Sequence, residues 1–201
     1  MSNKKVSISK GNSKMGFIPS VSLPPIITCA AGCKCAKKCY AAKLCKLRPN
    51  VRKAYQGNLD ALLEDEENYW YQVNHAVRMS KYFRFHVSGD IVDYHYFESM
   101  VLTAEQNPGT TILAFTKQYE IVNQYLNIFG YLPENLKIIF SAWPGMPMEN
   151  PHNMPVANVI FRGSEPAENW KICGGNCSEC ACRGVGCWEL KKGEHIAFYE
   201  H

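Results

Sequence analysis

Ten cysteines carry most of the chemistry this sequence offers, and they fall in two short windows. Cys29, Cys33, Cys35, Cys39 and Cys45 form the first window; Cys173, Cys177, Cys180, Cys182 and Cys187 form the second. The 127 residues between Cys45 and Cys173 hold none. Thiols gathered this closely read as disulfides, zinc ligands, inert core residues or ligands of iron–sulfur clusters. The N-terminal residues lack the apolar core of a secretory signal, which points to a reducing cytoplasm and away from disulfides. The clustering argues against inert core positions. Zinc sites usually pair two CxxC knuckles; Cys177-x2-Cys180 is one, but the first window has no CxxC at all. Its irregular spacings suit a bulky cluster whose irons sit at separate corners.

Charge is split as sharply as sulfur. Met1 to Leu59 carries twelve Lys or Arg and no Asp or Glu, whereas the remainder holds ten basic and eighteen acidic residues. The basic segment must face something negative: nucleic acid, a small anionic substrate or cofactor, or metal-bound thiolates. Lys34, Lys37, Lys38, Lys43 and Lys46 flank the first window and can offset an anionic cluster; a solvated face or a nucleic-acid patch is the plain alternative. No run of eighteen apolar residues exists, so no membrane span is expected.

Length and composition fit one domain with an ordinary core. It divides into a basic, cysteine-rich segment (1–48), an α/β body (49–165) and a second cysteine-rich segment (166–201). Asn50 to Lys81 has apolar residues at helical spacing, as two helices, and the acidic run Glu64 to Glu67 suits the first turn of the second. Strands are expected at 82–87, 110–115, 136–140 and 156–161, with helices over 93–106 and 119–129. His195 to Tyr199 is a candidate last strand. Ile26 to Thr28 is a candidate first strand, confined to an edge by Pro24 and Pro25. Strand–helix–strand repeats imply a parallel sheet with right-handed crossovers, either a partial (β/α) barrel or an open sheet. In both, function gathers at the C-terminal strand ends. Those ends carry Ser88-Gly89-Asp90, Thr116-Lys117, Ser141-Ala142-Trp143 and Arg162-Gly163. Both cysteine-rich segments are expected to pack at that rim.

The second window contains Cys173-x3-Cys177-x2-Cys180, the spacing by which radical S-adenosylmethionine enzymes hold three irons and leave a fourth open. That motif normally follows the first strand, and here it follows the last. Cys187 or Cys182 is close enough to supply a fourth ligand, so the window reads as a closed site, through Cys173, Cys177, Cys180 and Cys187. The first window lies where an open cluster belongs. A cysteine of one window is also a candidate ligand of the other's cluster, as in two-cluster ferredoxins.

Thr28-Cys29, Cys35, Cys39-Tyr40-Ala41, Pro49-Asn50-Val51, Phe83 through Asp90, Thr116-Lys117, Leu132-Pro133-Glu134-Asn135 and Cys187-Trp188 together resemble a phage family, the gene product eighty-eight family. Its segments are similar to a shortened radical-SAM-type half barrel. The resemblance implies that Cys29, Cys35 and Cys39 are shared ligands. Val87 departs from the family pattern, in which an acid is frequent before Ser-Gly-Asp.

Asp90 is a candidate contact to substrate or cofactor, or else a helix cap. His86 alternates with Arg84 and Ser88 along a strand and is a candidate acid–base group, or else a satisfied core histidine. Lys117 can hold an anion or be solvated. Ser88 and Gly89 complete the candidate cofactor contacts. Trp143 is a pocket wall or core. Nucleotide-hydrolysis, zincin and serine-elbow motifs are absent. The expectation is a cytoplasmic iron–sulfur protein of an infected host cell, with two [4Fe-4S] clusters. One cluster would serve Lewis-acid chemistry or S-adenosylmethionine at an open iron. The alternative is a zinc-stabilised module that binds nucleic acid through its basic N-terminal segment.

Overall fold

The computed structural model describes residues 4–200. Seven parallel strands form one sheet: β1 (Ser20–Val21), β2 (Tyr82–Phe85), β3 (Thr111–Thr116), β4 (Leu136–Ser141), β5 (Val156–Ile160), β6 (Lys171–Ile172) and β7 (His195–Tyr199). Their spatial order is β1-β2-β3-β4-β5-β7-β6, with β1 and β6 outermost. The helices are α1 (Tyr40–Leu47), α2 (Pro49–Glu64), α3 (Glu66–Arg78), α4 (Tyr94–Gln106), α5 (Tyr119–Phe129) and α6 (Cys177–Arg183).

Local chemistry explains the helix limits. Pro49 opens α2, where its missing N–H costs nothing. Asp65 caps α3 by accepting from the Asn68 N–H at 3.1 Å, with Glu66 and Glu67 in the first turn. Asp93 caps α4 by accepting from the Tyr96 N–H at 2.8 Å. Asp90 is therefore not the cap.

Strands added in sequence by right-handed crossovers leave their helices on one side of a sheet. Alternate residues Ile112 and Ala114 of β3 accordingly pack with α2 to α5 in the main core, alongside Phe83, Phe85 and Ile138. Leu113 faces the other way and joins a second core. Ile139, Ala157 and Ile196 join it from the sheet, and Met15, Ile18, Ala181, Trp188 and Leu190 from the two chain extremities. The C-terminal segment thus spreads across the helix-free face, beyond the rim where it was expected. Its apolar residues need cover, and that face is the bare one.

Two strands differ from expectation. Ile26 to Thr28 is a turn, with Ile26 at φ 72°, and the first strand is Ser20–Val21 instead. Pro24 and Pro25 remove two ladder donors, so pairing ends before them. The short edge strand β6 pairs outside β7 and was not expected.

Candidate functional site

Two cavities lie side by side. The larger, about 500 Å³, opens at the C-terminal strand ends. Cys29, Cys33, Cys35 and Cys39 line it, and so do Ser88-Gly89-Asp90, Thr116-Lys117, Ser141 and Trp143. The smaller, about 280 Å³, is lined by Cys173, Cys177, Cys180 and Cys187. Arg84, Phe115, Phe198 and Lys14 line both and form a shared wall. Among the described residues, no cysteine of one window lines the other's cavity. Arg162-Gly163 lines neither.

The smaller site is built around α6. Asn176 caps that helix, accepting from the N–H groups of Ser178 and Glu179. Cys177 and Cys180, three residues apart, share a helix face. Cys182 lies two positions past Cys180, on another face; it is exposed and lines neither cavity. The Trp188 indole donates to the Cys177 carbonyl at 3.1 Å and its ring meets Tyr82 edge-on. The Cys177 N–H donates to the Lys14 carbonyl at 2.9 Å, which docks the N-terminal loop on the same segment.

In the larger site, Cys39 stands at the N-terminus of α1 and its Sγ accepts from the Ala42 N–H at 3.4 Å. Cys29 Sγ accepts from the Ile26 N–H at 3.3 Å. Cys33 approaches Met146 sulfur at 3.8 Å. Cys45, on α1, is buried and does not line the cavity. All ten cysteines are free thiols. Burial pushes Cys29 up to about 11 and Cys35 and Cys187 up to about 12. Such thiols would bind metal as thiolates, their protons released to solvent on binding. The cations felt by these thiols are Lys117 at Cys35 and Arg84 at Cys187. Of the flanking lysines expected in that role, Lys38 instead pairs with Glu200. Arg84 Nη1 lies 3.9 Å from Cys177 Sγ and its guanidinium 4.8 Å from the Phe115 ring centre.

Asp90 is buried and fully engaged. It accepts from Thr116 Oγ1 at 2.6 Å, Lys117 N–H at 2.8 Å and Ile91 N–H at 2.8 Å. Burial raises its pKa, against the pull of these bonds and of the Lys117 charge. Lys117 Nζ donates to Ser141 Oγ at 2.8 Å. His86 is buried beside Tyr96, with Nε2 and the hydroxyl 2.8 Å apart. Trp143 is both a cavity wall and packed edge-on against Phe161.

Gly89 holds the turn at φ +79°, and an added Cβ would lie 2.6 Å from Thr28 Oγ1 and 2.8 Å from Leu23 Cβ. Gly89→Ala is expected to cost about 1–3 kcal/mol of stability, read as a lower urea midpoint. An unchanged midpoint would mean that the turn is not held as described.

Three residues of the site escaped sequence reasoning as ligand neighbours. Arg84 was signalled by its alternation with His86 and Ser88. Asn158 and Glu200 had no signal beyond lying in or after a strand. Among the described residues, no three His, Cys, Asp or Glu side chains are placed as ligands of one metal ion. No described helix is long and apolar enough to cross a membrane.

A family model described as gene product 88 matches residues 1–185. The match stops short of Cys187-Trp188, the last motif of the resemblance. No curated protein and no solved structure matches the chain.

Proposed function

The chain belongs to the gene product 88 family, and from that premise we propose that it is an iron–sulfur protein with two cluster sites, one closed and one open. The observation that carries this reading is the sorting of thiols: four of each window line a separate cavity, and the two cavities share a wall. The donor set fits. Among the described residues, the thiols that line the smaller cavity are four soft donors, a set that suits zinc or an iron–sulfur cluster. They ring a volume of about 280 Å³, which favours a polynuclear group over a single ion.

In the larger cavity Cys29, Cys35 and Cys39 would hold the open cluster, with Cys33 beside them. Bound there, a cluster with one iron free of thiolate supplies an electron or a Lewis-acid position to a small ligand, S-adenosylmethionine included. The chain's own residues prepare that space. Asp90 ties the β2 loop to the end of β3. Lys117, steered by Ser141, presents a cation. His86 stays neutral because burial and Arg84 pull its pKa down to about 3. Action in the cytoplasm of an infected host cell belongs to the same proposal, since free thiols persist in a reducing compartment.

Protein purified without oxygen should be brown and contain iron and acid-labile sulfide in equal amounts. Cys177→Ser should remove one electron paramagnetic resonance signal and Cys35→Ser the other. Colourless protein with stoichiometric zinc would overturn the reading. The second reading, a zinc-stabilised nucleic-acid binder, draws on the exposure of Lys34, Lys37, Lys43, Lys46 and Arg48. It requires binding to DNA or RNA that weakens steeply with salt.

A further inference from the structure

Three residues that line the larger cavity each keep one polar side-chain atom that nothing in the protein engages. Arg84 Nε, His86 Nδ1 and Ser88 Oγ are buried without a hydrogen-bond partner. Among the described residues the only other such atom is Asn123 Oδ1. A buried polar group left unpaired costs about 1–3 kcal/mol, so three in residues lining one cavity point to a missing partner, which a small side-chain rotation would bring within reach.

The tyrosines behind His86 set the polarity. Tyr69 and Tyr96 hydroxyls are 3.1 Å apart, and both rings are buried. If Tyr69 donates to Tyr96 and Tyr96 to His86 Nε2, each hydroxyl proton has an acceptor. In the reverse order the Tyr69 proton faces none. The hydrogen-bond network therefore assigns the proton of the neutral imidazole to Nδ1. Arg84 Nε–H and His86 Nδ1–H are then donors, and Ser88 Oγ–H is free to be one. Asp90, which also lines the cavity, already accepts from three donors.

We propose that the larger cavity binds a small organic anion whose carboxylate or phosphoryl oxygens accept from Arg84 Nε–H, His86 Nδ1–H and Ser88 Oγ–H, with its apolar body against Phe115, Phe198 and Trp143. The volume, about 500 Å³, is in the range of small-molecule sites and would be shared with the cluster at Cys29, Cys35 and Cys39. The proposal rests on the reading of this cavity as the reactive one and names the class of molecule brought to it.

The test is calorimetric titration of the full chain, purified without oxygen, with inorganic phosphate and with phenylacetate. Saturable binding of either probe is expected; the one that binds tells phosphoryl from carboxylate. Ser88→Ala should raise the dissociation constant about tenfold, since a hydrogen bond to a charged oxygen is lost. The same change deletes an unpaired buried hydroxyl, so the melting temperature of the ligand-free variant should hold or rise. Arg84→Lys keeps the positive charge, loses Nε–H and should also bind more weakly. No saturable binding of either probe, or equal affinity in wild type and Ser88→Ala, overturns the proposal. Iron and sulfide assays on the same samples keep the two readings apart. Anion binding by iron-free chain would remove only the cluster, and iron-loaded chain that binds neither probe would remove only the anion site.

Discussion

Stripping iron from the anaerobic protein with a chelator is expected to release residues 173–190 to fast amide exchange while α2 to α5 stay protected. Two magnitudes decide this. Four-thiolate metal sites contribute folding energy on the order of 10 kcal/mol, by analogy with structural zinc. Burial of Trp188 contributes about 3–5 kcal/mol. Without metal, α6 is seven residues long, too short to persist alone, and its cap at Asn176 adds only about 1 kcal/mol. The main core does not use this segment: its residues come from the strands, from α2 to α5 and from the start of the chain. Protection of 173–190 should therefore fall about a hundredfold or more, as measured by hydrogen exchange with mass spectrometry. Equal protection with and without metal would mean that the thiols do not hold the segment.

Acid should destabilise the fold through His86. Its folded pKa lies near 3, held down first by burial and then by Arg84, against an ordinary value of 6.5. Below 6.5 the unfolded chain takes up a proton that the folded chain refuses. Stability from this group is thus complete above 6.5 and falls as pH drops toward 3, by about 1.4 kcal/mol per unit and roughly 5 kcal/mol over the whole span. His86→Gln, which does not titrate, should lose stability less steeply over that range. Denaturant titrations of both proteins at matched iron content, at pH 7 and pH 5, measure the difference. Parallel losses would show that His86 is not held neutral.

The body was legible because its signals are long and redundant. α3 carries an acidic first turn, a helical apolar stripe and a capping Asp65 in one stretch. The cavity-lining strand ends at Ser88, Thr116 and Ser141 follow from the parallel topology alone. β1 and β6 are two residues each, below any periodicity. The turn at Ile26 mimics a strand by composition, and its conformation is set by the two prolines before it. The role of Arg84 depends on residues 93 positions away at Cys177, a separation that local pattern does not carry. Cys182 is close to Cys180 in sequence but turns to another side of α6, a direction that spacing alone does not carry. The helix-free face was implied by the winding of the strands, but which segment would cover it was not.

That cover has a consequence for the order of events during synthesis. The sheet's bare face is lined by β3, β4 and β5, which are complete by Ile160, whereas most of its cover, Met15 and Ile18 apart, is encoded from Cys173 onward. A ribosome therefore releases a nearly finished sheet with an uncovered apolar surface, which must wait for the last cysteines before the smaller chamber exists. If the proposed cluster holds those thiols, a shortage of iron would leave the nascent chain sticky on that side and prone to aggregate.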